Sequence, residues 1–167
     1  MELYLVRHGL AVDLGEQGTS SDAERMLTAK GEKRTRRTAK ALKELKCIPA
    51  KICTSPLVRA AQTADIICRI LIPKKEATPG EYLKPDASIA AGIAAIRAMR
   101  VGSVILVGHM PHLSRLASAV LTGDEAALFL DFDKSGVCCI VWEGSQQKGG
   151  ARLRWLLDSI QCRMIGS

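Results

Sequence analysis

Two short apolar runs that lead straight into histidine constrain this chain more than any other feature. Leu3-Tyr4-Leu5-Val6 is unbroken, rich in strand formers, and stops at Arg7-His8-Gly9. Val104-Ile105-Leu106-Val107 repeats the pattern much later and stops at Gly108-His109. Runs this short and this apolar read as strands buried on both faces. Such strands need helices above and below them. Each run also carries reactive side chains to a strand end. There a glycine lets the backbone turn and a ligand approach closely.

The intervening sequence supplies those helices. Residues 10–26 form a long connection with Gly15, Gly18 and a Thr19-Ser20-Ser21 cluster. A connection of that length directly after Arg7-His8 is expected to border the site. Thr28 is placed to cap a helix, with Glu32 near its first turn. Gly31 lowers helix propensity, so it is expected to let that helix lie close on the sheet. Ile52-Cys53-Thr54 reads as another short strand. Ser55-Pro56 reads as the cap and first residue of a helix, with Arg59 about one turn in. Small Ala60, Ala61 and Ala64 suit tight packing on a sheet.

Residues 76–78 are expected to be a short strand and residues 79–85 a loop. Asp86 is expected to cap a helix with the stripe Ile89, Ile93 and Ile96. Pro111 opens a further helix, whose Leu113, Leu116, Ala117, Val120 and Leu121 face inward. Residues 137–142 read as a strand, 144–150 as a turn, and 152–157 as a strand with Leu153, Trp155 and Leu157 on one face. That pattern is an antiparallel hairpin. The expected architecture is α/β: a three-layer αβα sandwich, mostly parallel, with an antiparallel C-terminal hairpin, in one domain over residues 1–167.

Composition narrows the class. The 167 residues are 47% hydrophobic, enough for a core without disulfides or metal. No apolar run reaches the roughly 18 residues of a membrane helix. Glu2 and Arg7-His8 interrupt any signal-peptide core. Six cysteines occur without a Cys-x-x-Cys pair, which favours free core thiols and a cytoplasmic setting. Adjacent Cys138 and Cys139 should point to opposite faces of a strand. The net charge of +7 calls for an anionic partner or none. Much of it lies in residues 30–46, on the outer faces of a helix. Without interleaved aromatics this reads as a solvated face, not a nucleic-acid surface.

The carboxyl ends of strands form the ligand crevice of an open α/β sheet. Two histidines, two arginines and two helix N-termini therefore converge on one pocket. Forked guanidinium donors and free backbone N–H groups suit a tetrahedral dianion.

At this point the residues resemble a known family. Arg7-His8-Gly9, Ser55-Pro56-Leu57-Val58-Arg59-Ala60-Ala61-Gln62-Thr63 and Gly108-His109-Met110-Pro111 look like the three signatures of the histidine phosphatase superfamily, whose fold is phosphoglycerate-mutase-like. Leu27-Thr28-Ala29-Lys30-Gly31 resembles that family's helix start. The small size and the short segment between Arg59 and Glu81 look most like the SixA-type phosphohistidine phosphatases. The resemblance implies catalysis through a phosphohistidine on His8, with Arg7, Arg59 and His109 neutralising the phosphoryl oxygens and no metal or other cofactor. It also implies that Ser55 and Gly9 border the phosphate. A leaving-group acid is expected after the second signature, Glu81 first and Asp86 second. Phosphohistidine, with its readily protonated leaving imidazole, suits a weakly marked acid.

The implied partner is a phosphorylated protein, such as a histidine-containing phosphocarrier or signalling domain. A small phosphate ester is the alternative, and a non-catalytic phosphate-binding module is a third. No membrane or nucleic-acid partner is expected, and a monomer is the default. His112 has no His-Glu-x-x-His context and is expected at the pocket rim or surface, not on a metal. Gly-x-Ser-x-Gly is absent, so Ser55 is not read as a nucleophile, and without Gly-x-x-x-x-Gly-Lys nucleotide triphosphate chemistry of that type is unsupported.

Overall fold

In the computed structural model, which describes residues 1–143 and 150–167, the first strand β1 (Glu2–Arg7) is buried on both faces. Leu3 and Leu5 enter one core; Tyr4 and Val6 enter the other. The same alternation continues on its neighbours β4 (Ser103–Gly108) and β5 (Val137–Trp142). Val104, Leu106, Cys138 and Ile140 join the first core, and Ile105, Val107, Val137 and Cys139 the second. Cys138 and Cys139 therefore face opposite ways, as strand geometry requires. All six cysteines are free and buried.

The remaining strands are β2 (Lys51–Thr54), β3 (Thr78–Pro79) and β6 (Ala151–Leu157). The sheet order is β3-β2-β4-β1-β5-β6. The first four are mutually parallel; β5 runs antiparallel to β1, and β6 antiparallel to β5. Helices α1 (Ala29–Glu44), α2 (Val58–Leu71) and α5 (Ser159–Ile165) cover the face of Tyr4 and Val6. Helices α3 (Ile89–Ala98) and α4 (His112–Thr122) cover the face of Leu3 and Leu5. This is the three-layer sandwich with a terminal antiparallel pair. After β1 the chain leaves to one face through α1; after the adjacent β4 it leaves to the other through α4. Neighbouring strands that diverge in this way open a crevice at their carboxyl ends. No helix among the described residues is long and apolar enough to cross a membrane.

Local details depart from expectation for identifiable reasons. Thr28 caps α1 as expected, accepting from the Gly31 amide at 3.0 Å. Gly31, however, makes room for a loop and not for the sheet: a Cβ there would lie 2.1 Å from the Leu10 carbonyl oxygen. Helix α2 begins at Val58, with Leu57 at its cap position, so Arg59 is its second residue instead of one turn in. The Ser55 side chain is drawn to His109, which leaves it only a long 3.4 Å contact from the Leu57 amide. Ser88, not Asp86, caps α3. Residues 81–83, expected as loop, form a 3-10 turn, and the strand expected at 76–78 is displaced to β3, which shares only Thr78 with it.

At the C-terminus a register shift between Cys139 and Ile140 breaks the alternation of β6. Trp155 and Leu157 pack on one core and Leu156 on the other, while Leu153 is left 41% exposed. The expected turn at 144–150 lies, apart from Gly150, outside the described residues. Helix α5 was not signalled by apolar spacing. It is set by a capping box in which Asp158 accepts from Ile160 and Gln161 amides and Gln161 accepts from the Asp158 amide.

Candidate active site

Strands β1 and β4 end level, with Arg7 opposite Gly108. The His8 amide then donates to the Gly108 carbonyl at 3.0 Å, and the Ser55 amide to the Val107 carbonyl at 2.9 Å. This backbone pairing sets His8, His109 and Ser55 in one row along the sheet edge. The rings of His8 and His109 lie 5.0 Å apart at 52°. Ser55 Oγ sits 2.8 Å from His109 Nε2. Arg59, at the start of α2, reaches His8 Nε2 with its Nε at 3.3 Å. His8 and Arg59 are 8% and 5% exposed, and His109 is 2%. His8, Arg59 and His109 of the expected quartet thus gather at one place with Ser55 against His109, while the Arg7 side chain turns to the Phe132 carbonyl.

The neighbours of His8 dictate its tautomer. The Gly9 carbonyl, 2.7 Å from Nδ1, only accepts, so Nδ1 carries the hydrogen. Arg59 Nε only donates, so Nε2 presents its lone pair. Burial lowers the His8 pKa to about 4; the Gly9 bond opposes this, and the charges of Arg59 and Arg7 reinforce it. Burial, His8 and Arg59 similarly lower His109 to about 3. Both rings are therefore neutral near pH 7, and the His8 Nε2 lone pair is held beside fixed guanidinium charge, accepting from Arg59 Nε.

Arg7 donates to the Phe132 carbonyl at 2.6 Å, while its Nε is buried with no partner among the described residues, as is His109 Nδ1. A cavity of about 570 Å³ opens beside Arg7, with Asp131, Asp133 and Asp158 in its walls. Among the described residues, no three side chains of metal-ligating type gather into one site.

The structure gives the surroundings of Gly9, Glu81 and Asp86 and corrects the placement of His112. Gly9 is a packing glycine: its amide donates to Thr63 Oγ1 at 3.0 Å, and a Cβ would lie 2.8 Å from Thr35 Oγ1. Glu81 turns to Lys84 at 2.5 Å with its side chain 75% exposed, and Asp86 is exposed as well, so neither carboxylate is packed into the row. His112 is not on a rim or surface; it is fully buried, and neither ring nitrogen has a partner among the described residues.

The carboxylate that does meet the site is Asp22, which sequence reasoning missed. Its Oδ2 accepts from Arg59 at 2.9 Å, and its carbonyl oxygen accepts from the same guanidinium at 2.6 Å. Only the position of residues 10–26 as a long loop after His8 hinted at this contact. No short-range pattern singles out Asp22 within it.

Two histidines beyond the carboxyl ends of neighbouring strands, with the buried Arg59 of α2 against one of them, suit a phosphoryl-handling α/β enzyme. The chain belongs to the histidine phosphatase superfamily: its branch 1 family model matches residues 3–80. The chain is 37% identical over 163 residues to an uncharacterised protein of Picosynechococcus sp., covering 95% of this chain and 92% of that one. It is 28% identical over 158 residues to phosphohistidine phosphatase SixA of Escherichia coli K12, covering 87% and 94% of the two chains. A solved structure of the protein histidine phosphatase SixA complexed with tungstate superposes with a TM-score of 0.82 at 24% identity, covering 96% of this chain and 98% of that one. The fold is thus the phosphoglycerate-mutase-like fold, and the enzyme is a phosphatase.

Proposed function

We propose that this phosphatase hydrolyses phosphohistidine on a protein, acting as one domain. His8 Nε2 attacks phosphorus; the new N–P bond forms as the bond to the substrate imidazole breaks, and that imidazole takes its proton from solvent as it leaves. Water then attacks phosphorus, the His8 N–P bond breaks, and phosphate departs. Splitting the displacement in two lowers each barrier. Arg59, Arg7 and His109 stabilise the equatorial oxygens through a loose transition state. Ser55 orients His109. Glu81 is left out of the reaction.

The observation that carries this reading is the His8 ring, held in one tautomer with its lone pair on Nε2 beside Arg59. The similarity to SixA over nearly the full chain supports the choice of substrate.

The test is turnover without added metal. A phosphorylated histidine carrier protein should be hydrolysed faster than sugar phosphates, vanadate should inhibit, and His8→Ala should remove activity. Faster turnover of the sugar phosphates would reassign the substrate to a small ester. Binding of phosphoprotein with no phosphate release would make the chain a recognition module.

A further inference from the structure

Each nitrogen of the Arg59 guanidinium already has a partner. Nε faces His8, one terminal nitrogen donates to the Asp22 carbonyl, and the other to the Asp22 carboxylate. The Arg59 side chain is 6% exposed and that of Asp22 58%, so the carboxylate lies on the arginine from the solvent side. Its second oxygen accepts from Arg25 at 3.0 Å, and Arg25 is anchored to the Val12 carbonyl at 2.7 Å. Burial acts to raise the Asp22 carboxyl, but the hydrogen bonds from Arg25 and Arg59 outweigh it and hold the group below its ordinary range.

We propose that Asp22 is an internal competitor of the phosphoryl group, which must take the terminal nitrogens of Arg59 from it, with Arg25 retaining the released carboxylate. The proposal rests on the reading of Arg59 as a phosphate ligand. A phosphoryl dianion brings three oxygens and more charge than one carboxylate, so it prevails at Arg59. A monoanion has no such advantage, so Asp22 biases the site toward dianions. Arg25 prevents the displaced carboxylate from being left without a counter-ion, which lowers the cost of exchange. A loop residue thereby sets the affinity of the site while standing outside the reacting atoms.

The experiment is calorimetric titration of inorganic phosphate at pH 8 and low salt. Asp22→Ala and Asp22→Asn should tighten phosphate about 3- to 10-fold, the range expected when a partly exposed ion pair no longer competes. Arg25→Ala should weaken it about 2- to 5-fold, because Asp22 then relies on Arg59 alone. Asp13→Asn is the control: its side chain is 86% exposed on the same loop and touches Arg25, not Arg59. It removes the same charge and should change affinity less than about 2-fold. Phosphate bound by the wild type and no tighter by either Asp22 variant overturns this inference alone. So does tightening by Asp13→Asn equal to that by Asp22→Ala, which would be a general charge effect. No phosphate binding by folded wild type or Asp22→Ala overturns both this inference and the phosphate-site reading beneath it.

Discussion

At the scale of single residues, the site works by withholding protons. The chain has three histidines, and all three are buried. Burial lowers His8 to about 4 and His109 to about 3, and it lowers His112 as well. A nucleophilic imidazole with an ordinary pKa of about 6.5 would lose much of its lone pair in mildly acidic solution. His8 keeps it. Imidazole carbon chemical shifts followed from pH 8 to 5.5 should therefore stay flat for His8 and His109; a titration of His8 near 6.5 would refute the neutral, Nδ1-protonated nucleophile. Chemistry-bearing residues at strand ends were readable because apolar runs announce strands and the residue after the run is then positioned. The Ser55–His109 contact and the Asp22–Arg59 contact were not, since each joins residues whose separation in sequence carries no period. His112 was misread for a related reason. It is the first residue of α4, and which side of that helix lies against the sheet is a tertiary matter.

At the scale of elements, close packing decides where glycine is needed. Gly31 sits in the first turn of α1, where a Cβ would strike the Leu10 carbonyl at 2.1 Å. The obstacle is backbone, not a flexible side chain, and it belongs to the loop that carries Asp22. Gly31→Ala gains helix propensity yet should destabilise the protein by about 1–3 kcal/mol through overpacking. Thermal unfolding measures it: a melting temperature at or above that of the wild type would show that the loop yields freely. Helix starts were readable where a cap acts locally, as at Thr28. They were misplaced where a tertiary partner took the cap, as when Ser55 turned to His109 and α2 began at Val58. The β6 alternation failed for a similar reason. A bulge shifts the face of each later residue, and bulges depend on the partner strand.

At the scale of the whole molecule, the neutral histidines tie stability to pH. Each is lowered on folding, so between its folded and unfolded pKa the unfolded chain binds more protons. The stabilisation is complete above about pH 6.5 and is lost as pH falls from there toward the folded values, by up to ~1.4 kcal/mol per pH unit per histidine. Denaturant midpoints should therefore drop between pH 7 and pH 5, and replacing His112 by Leu should reduce that drop. An unchanged midpoint across this range would contradict neutral burial.

The sequence by itself determined the layers and the strand ends that carry Arg7, His8 and His109. Hydrophobic burial acts on each short segment separately, and its period survives in the linear order of residues. Tertiary structure alone decided that Asp22 faces Arg59, that Glu81 turns to Lys84 and that His112 goes inside. Those outcomes depend on which surfaces meet when the layers close, and electrostatic and packing partners are chosen only then.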